Sequence, residues 1–78
     1  MNTNISETEQ KIRLKIKFER IKRGISQEEL ATMSDLSTNA VWKIESGRVS
    51  PTLDSLIKIA NSLNMTLAEL FDLSKIEL

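Results

Sequence analysis

Apolar residues recur along this chain at spacings of three and four, which is the repeat of a helix with one buried face. Polar residues that can cap a helix start stand between these stretches, and the predicted helices begin at Ser6, Ser26, Ser37, Pro51 or Thr52, and Thr66. No stretch alternates at period two for long enough to predict a strand. The pattern therefore predicts a compact all-α domain of five helices.

Capping pairs and turn residues mark the helix ends. A Ser or Thr followed three residues later by Glu satisfies two backbone N–H groups at a helix start, and this capping box occurs at Ser6–Glu9, Ser26–Glu29 and Thr66–Glu69. Gly24 and Gly47 stand where the first and third helices should end, because glycine readily takes the left-handed conformation found there. We predict a first helix over 7–23, a disordered segment at 1–5, the domain at 6–72 and a tail at 73–78.

The inward positions of the later helices define a predicted core. Its members are Leu30, Ala31, Met33, Leu36, Val41, Ile44, Leu53, Leu56, Ile57, Ala60 and Leu63, and the short fifth helix carries Leu67, Leu70 and Phe71. The first helix differs because its apolar residues form two stripes: Ile12 and Ile16 lie on one side, and Leu14, Phe18 and Ile21 lie on nearly the opposite side. One stripe can face the core, so the other needs the C-terminal tail or a second subunit to cover it.

The third predicted helix has an unusual outer face. A surface helix normally exposes long charged side chains, whereas this face presents Asn39, Trp42, Lys43 and Ser46. These groups suit contact with nucleic acid better than solvation alone. Trp42 lies nearer to Thr38 than to the inward residues on the helical wheel. We therefore expect Trp42 to contact DNA, the alternative being packing at the edge of the core.

Composition limits the other classes of function. The 78 residues include no Cys and no His, which removes the usual zinc ligands and the usual general base at neutral pH. We therefore expect no metal, no cofactor and no enzymatic activity. No apolar run approaches the roughly 18 residues of a membrane span, and the start of the chain lacks the pattern of a signal peptide. These features predict a cytoplasmic protein without a membrane partner.

The net charge is zero, but the charge is unevenly distributed. Residues 1–25 carry seven Lys or Arg against three acids (+4), whereas residues 26–50 and 51–78 each carry two against four (−2). Arg20, Lys22 and Arg23 stand directly before the second helix, so a local basic edge suited to DNA can coexist with an acidic far side. The alternative interpretation is an ordinary solvated face.

A set of residues at fixed spacing gives a more specific prediction. Its members are Arg20, 24–31 (GISQEELA), Val41, 44–47 (IESG), Pro51, 59–60 (IA), Leu63 and 67–71 (LAELF). With these residues, the chain from Ile16 to Phe71 resembles the helix-turn-helix domain of the Cro/phage-repressor type, also called the XRE family of bacterial regulators. The resemblance implies a lambda-repressor-like DNA-binding domain of bacterial or phage origin that associates with the nucleoid.

The resemblance also implies which residues meet DNA. The third helix would lie in the major groove, where Asn39 can bond adenine, Lys43 can bond guanine and the methyl group of Thr38 can meet a thymine methyl. Gln27 matches the family residue that binds a phosphate. Contacts to the DNA backbone are therefore expected from Gln27, Trp42, Ser46, Arg48, Arg23 and Lys17.

The resemblance also bears on an ion pair, on a turn residue and on one departure in the first helix. Arg20 and Glu45 match a family pair that would form a partly buried bidentate ion pair, the alternative being two exposed charges that never meet. Asp35 occupies a turn position that is often Gly in the family, and Asp tolerates positive φ better than most residues. Glu19 stands where the family usually has Leu, and we expect Phe18 to compensate by rotating the packing of the first helix.

The family generally binds DNA as symmetric dimers on half-sites about one helical turn, ~34 Å, apart. The residues predicted to form the dimer contact are Leu70, Phe71, Leu73, Ile76 and Leu78. The alternative is that this tail folds back over the second stripe of the first helix.

We predict a sequence-specific transcriptional regulator similar to Cro-like repressors and to the controller proteins of restriction-modification systems. The alternative function is an antitoxin-type module that neutralises a partner protein, with DNA binding secondary.

Overall fold

The computed structural model describes the backbone of residues 3–77 and the side chains of residues 7–77. Five helices and no strand form within residues 3–77, and the helices are α1 (Thr3–Lys22), α2 (Gln27–Met33), α3 (Thr38–Glu45), α4 (Leu53–Ser62) and α5 (Leu67–Leu70). The predicted five-helix, all-α fold is confirmed. Met1 and Asn2, from the segment predicted to be disordered, and Leu78, from the predicted dimer contact, lie outside the described residues.

The first helix begins earlier than the sequence pattern predicts. Its first residue is Thr3, so Ser6 lies inside the helix and is not its N-cap. A Ser and a Glu three residues apart also fit a helix interior, which is why the motif alone does not identify the first turn. The other two predicted capping boxes are present, at Ser26–Glu29 and at Thr66–Glu69.

Four of the helices end in the same way. The second residue past each helix has a positive φ, and these residues are Gly24 (69°), Asp35 (55°), Gly47 (79°) and Asn64 (58°). At the end of α1, for example, the N–H of Gly24 donates to the carbonyl of Ile21 at 2.9 Å, and the N–H of Ile25 donates to that of Arg20 at 3.3 Å. This Schellman motif satisfies carbonyls that have no partner within the helix.

The core lies where α2, α3, α4 and one side of α1 meet. Its buried residues are Ile16, Leu30, Ala31, Val41, Ile44, Leu56, Ile59, Ala60, Leu63 and Leu70, with Ile12, Ile25, Leu36, Met65 and Leu67 packed against them. Ala31 is 2% exposed, and its small side chain allows α2 and α3 to pack closely. Burial of each large aliphatic side chain contributes about 1.5–3 kcal/mol, so this cluster is the main source of stability.

Three residues predicted to be in the core are exposed instead. They are Met33 (53%), Leu53 (62%) and Ile57 (42%). The short helices each bury a narrow arc, and in α4 this arc runs through Leu56, Ile59 and Ala60. Leu53 and Ile57 fall at the border of that arc, where the 3 and 4 spacing still holds but no neighbour covers them.

The second apolar stripe of α1 is only partly covered within one chain. The Nζ of Lys15 donates to the backbone carbonyl of Asp72 at 2.9 Å, which ties the start of the tail to α1. Ile76 in the tail is 8% exposed. Phe18 and Ile21, however, are 47% and 53% exposed, so the tail leaves this part of the stripe open to solvent.

The expectation that Phe18 compensates for Glu19 is wrong. Phe18 stays outside, and Glu19 itself is 8% exposed on the inner side of α1. Its carboxylate is 2.7 Å from Arg23 Nη1, 3.5 Å from Lys22 Nζ and 3.6 Å from Lys15 Nζ. The hydrogen bond from Arg23 holds the pKa of Glu19 below its ordinary 4.5, and the charges of Lys22 and Lys15 act in the same direction against the effect of burial. The carboxylate is thus tolerated because cations surround it.

Candidate nucleic-acid interface

A tight turn at residues 34–37 joins α2 to α3. Asp35 takes the left-handed conformation that this turn requires, as predicted from its replacement of Gly. The Oγ of Ser37 accepts a hydrogen bond from the N–H of Ala40 at 3.0 Å and so caps the start of α3. The Oγ of Ser34 donates to the Oγ of Ser62 at 2.9 Å, which ties the turn to the end of α4. The direction in which α3 leaves the turn is therefore fixed at its start.

The inner side of α3 is joined to α1 by the predicted ion pair. Arg20 Nε and Nη2 donate to the two carboxylate oxygens of Glu45 at 2.7 and 2.9 Å. The two side chains are 11% and 2% exposed. Arg20 Nη1 also donates to the carbonyl of Ile25 at 2.9 Å, and Gln27 Nε2 donates to Glu45 at 3.0 Å. This bidentate geometry excludes two separate charges and holds α3 against α1.

The outer side of α3 carries the three residues predicted to contact bases. Thr38, Asn39 and Lys43 are all exposed. Asn39 and Lys43 also line an open groove of about 390 Å³ whose other side is formed by residues 49–52 and Ser55. Polar, exposed side chains thus occupy the side of α3 that faces away from the core.

Trp42 is partly exposed, and one face of its ring is in contact with Arg48. Its side chain is 41% exposed, and the Cζ of Arg48 lies 5.1 Å from the centre of its ring. A cation–π contact of this kind contributes about 0.5–1 kcal/mol at an exposed site. Nearby, the Oγ of Ser46 donates to the carbonyl of Lys43 at 3.2 Å. Three residues predicted to contact the DNA backbone, Trp42, Ser46 and Arg48, therefore lie together at the end of α3.

The other predicted backbone contacts differ in how available they are. Lys17 is exposed on α1. The side-chain amide of Gln27 is bonded to Glu45, so it supports α3 in the free protein. Arg23 Nη1 bonds both the carboxylate and the backbone carbonyl of Glu19, at 2.7 and 2.9 Å, although its side chain remains 34% exposed. Gln27 and Arg23 must share or exchange these bonds to reach a phosphate.

The end of α3 involves a residue that sequence reasoning missed. The Nη1 of Arg13, 32 residues earlier in the chain, donates to the backbone carbonyl of Glu45 at 3.1 Å. The Arg13 side chain crosses Gly47, where an added Cβ would lie 3.0 Å from its Nε. Gly47 is a signal for a turn or a close approach, but nothing in the sequence identifies the side chain that approaches.

The residues predicted for a dimer contact are unequally available. Leu70 is 0% and Ile76 is 8% exposed within the single chain, whereas Leu73 is half-buried and Phe71 is 40% exposed. Contact with a second copy through Leu70 or Ile76 would require this end of the domain to open, because their own chain covers them. The surface available here is therefore Phe71 with part of Leu73.

Comparisons with known proteins agree with this architecture. Residues 16–70, more than half of the chain, match the helix-turn-helix family of the Cro/C1 type. A search of curated proteins found no match. The fold is similar to the crystal structure of the clp gene regulator ClgR from C. glutamicum, with 19% sequence identity, a TM-score of 0.80 and coverage of 91% of this chain and 95% of that one. Among the helices of residues 3–77, none combines the length and the hydropathy that a membrane span requires. The chain belongs to the helix-turn-helix family of DNA-binding transcriptional regulators.

Proposed function

We propose that this protein regulates transcription by binding a specific operator sequence, with α3 in the major groove. The observation that carries the proposal is the contrast between the two sides of α3. Its inner side is held by the Arg20–Glu45 ion pair, and its outer side presents exposed polar residues. Recognition of base edges needs free polar groups on a rigid support. The gene regulator with a similar fold supports the same kind of role.

Three residues of α3 are proposed to read bases. Thr38 and Asn39 lie in the first turn of the helix, and Lys43 lies one turn further on. The N-terminal part of a recognition helix typically contacts base edges. Asn39 suits the N6 and N7 atoms of adenine, and Lys43 suits the O6 and N7 atoms of guanine. Each good bidentate contact discriminates against a wrong base by about 1–3 kcal/mol.

A second group is proposed to bind the sugar-phosphate backbone. Lys17 on α1 and Arg48 in the loop after α3 are exposed cations, and Arg23 joins them if it shares its bond with Glu19. The remaining members of the group are Gln27, Trp42 and Ser46. Such contacts set register and affinity rather than sequence preference. Three cations in each of two subunits would neutralise about six phosphates, which gives a slope of log affinity against log salt of about −5.

We propose that the regulator acts as a homodimer. The recognition helix has eight residues, and one copy of it reads too few base pairs for high selectivity. Phe71, which is 40% exposed, and the half-buried Leu73 provide the apolar surface at the end of the domain where two copies would meet. Analytical ultracentrifugation of a form truncated after Asp72 tests the role of the tail, and a dimer of unchanged strength would remove Leu73 and the residues after it from the interface.

Selection of bound sequences from a random DNA pool tests the proposal directly. The wild-type protein should enrich one sequence, and its affinity for that sequence should fall steeply as salt rises. Asn39→Ala and Lys43→Ala should each relax base preference at one position of the site. Lys75→Ala removes the same charge from an exposed position of the tail and should leave base preference unchanged. Failure to enrich any sequence, or a flat salt response, would overturn the proposal.

A second function, that of an antitoxin-type partner-binding module, is favoured by one observation. Phe18 and Ile21 are 47% and 53% exposed on α1, and exposed apolar residues of this size suit contact with another protein. A toxic protein encoded by a neighbouring gene, neutralised by the wild type but not by Phe18→Gln with Ile21→Gln, would favour this function. Operator binding unchanged in the same variant would separate the two surfaces.

A further inference from the structure

The end of α3 is built differently from the other three Schellman ends. The residue that follows the positive-φ position is apolar and half-buried after α1, α2 and α4, where it is Ile25, Leu36 and Met65 respectively. These side chains pack on the core and make the apolar contact that commonly accompanies the motif. After α3 the same position is Arg48, which is exposed and lies over the ring of Trp42.

Support for the end of α3 comes instead from α1. Backbone N–H groups of residues 46–48 donate to the last-turn carbonyls of Trp42, Ile44 and Lys43. The remaining carbonyl, that of Glu45, accepts its bond from Arg13 Nη1 at 3.1 Å. Arg13 is able to reach it by lying against Gly47, with Nε and Cδ at 3.0 and 3.2 Å from where a Cβ would stand. A guanidinium at this position also interacts favourably with the negative end of the α3 dipole.

A second contact from α1 holds the loop that follows α3. The Oγ of Ser50 donates to the carboxylate of Glu9, one turn before Arg13 on the same helix. Both Glu9 and Arg13 precede residue 16, where the match to the helix-turn-helix family begins. The part of α1 that lies outside the family match therefore contacts the recognition helix and the loop after it.

We propose that Glu9 and Arg13 form a brace that positions the end of α3, and that this brace orders the Arg48–Trp42 pair for contact with DNA. The last step rests on the proposed operator binding, whereas the bracing itself does not. Arg13 is a positioning residue, because it acts through Glu45 and Gly47. Without it the carbonyl of Glu45 turns to water and the loop at residues 46–50 gains conformational freedom. Arg48 must then be ordered when DNA binds, at a cost in affinity.

Fluorescence of the free protein tests the bracing step. Trp42 is the only Trp in the chain, so the fluorescence of the protein comes from this ring. Its quenching therefore reports how far Arg48 shields the ring from solvent. Arg13→Ala should raise the acrylamide quenching constant by up to about twofold, since the ring is already partly exposed. Arg13→Lys keeps the charge but not the fork of donors and should give an intermediate value. Lys11→Ala, with the same loss of charge on the same helix, should match the wild type.

Affinity for the selected operator tests the positioning step. Arg13→Ala should bind about five- to tenfold more weakly than Lys11→Ala, beyond the effect of the lost charge. Circular dichroism at the assay temperature establishes that each variant is folded, and Arg13→Lys supplies the comparison if Arg13→Ala is not.

Unchanged quenching in both Arg13 variants would overturn the brace. Changed quenching with operator affinity equal to that of Lys11→Ala would overturn its role in DNA binding. If the wild type binds no sequence, the proposed function fails. The quenching comparison still decides whether Arg13 positions the end of α3.

Discussion

Replacing Arg20 with Met removes one half of the ion pair that joins α1 to α3. The side chain of Glu45 is 2% exposed, and after the change it would keep the hydrogen bond from Gln27 but lose both bonds from Arg20. Met is an unbranched side chain that occupies much of the space of Arg, so the loss is mainly electrostatic. A buried carboxylate left without its cation costs about 3–5 kcal/mol. A domain of this size has a total stability of about 4–12 kcal/mol, so the change removes a large part of it.

Urea denaturation followed by far-UV circular dichroism measures this loss. The midpoint should fall while the slope m stays the same, because the surface exposed on unfolding hardly changes. The chain offers a matched control in the pair of Lys58 and Asp54, whose charged atoms are 3.2 Å apart with side chains 38% and 76% exposed. Lys58→Met breaks this pair and should cost at most about 1 kcal/mol, because solvent screens exposed charges.

A loss of stability in Arg20→Met no larger than that in Lys58→Met would contradict an uncompensated buried charge at Glu45. A double variant, Arg20→Met with Glu45→Leu, provides a further check on the cause. Because it leaves no uncompensated buried charge, it should recover part of the stability lost in the single variant. If the double variant is less stable than Arg20→Met, the loss comes from packing rather than from the unpaired carboxylate.

Three further predictions use the same denaturation assay. Asp35→Gly should stabilise the protein by up to about 1 kcal/mol, because Asp35 has a φ of 55° that glycine adopts without a steric cost; destabilisation would contradict this. Leu30→Ala should cost about 2–5 kcal/mol, because Leu30 is 0% exposed, and a cost under ~1 kcal/mol would show that the core closes around the gap. The lowered pKa of Glu19 stabilises the fold above pH 4.5, and this stabilisation is lost as pH falls through the folded-state pKa. As pH falls, the free energy of unfolding should therefore decrease less steeply in Glu19→Gln than in the wild type, and equal decreases would refute this. Asp72 still contributes in both proteins, because hydrogen bonds from Ser74 also lower its pKa.

Features encoded over a few residues were predictable from the sequence. Ser26 and Thr66 cap their helices as the capping-box pattern indicated, and Gly24 and Asp35 adopt the positive φ that their residue types favour. The Arg20–Glu45 pair is also present, but its prediction depended on the family resemblance. Spacing by itself places two charges on helices and does not show that they meet.

Features that depend on the whole packing were not predictable in the same way. The 3 and 4 spacing includes Leu53 and Met33, yet both are exposed because no neighbour covers their side of the helix. Glu19 is buried because Arg23 and two lysines lie within reach of its carboxylate. The contact of Arg13 with Glu45 joins residues 32 positions apart, and no periodic pattern carries that information.

The shortness of the helices links the folding of the domain to its proposed binding of DNA. α2, α3 and α5 have seven, eight and four residues, whereas an isolated helix shorter than about 12–15 residues is marginal in water. α3 is therefore helical only while the core beneath it is closed, so the proposed operator binding and opening of the domain are linked equilibria. Bound operator should accordingly raise the unfolding free energy by about 2.7 kcal/mol when its free concentration is 100 times the Kd. A peptide containing only α2 and α3 should show neither helix nor operator binding.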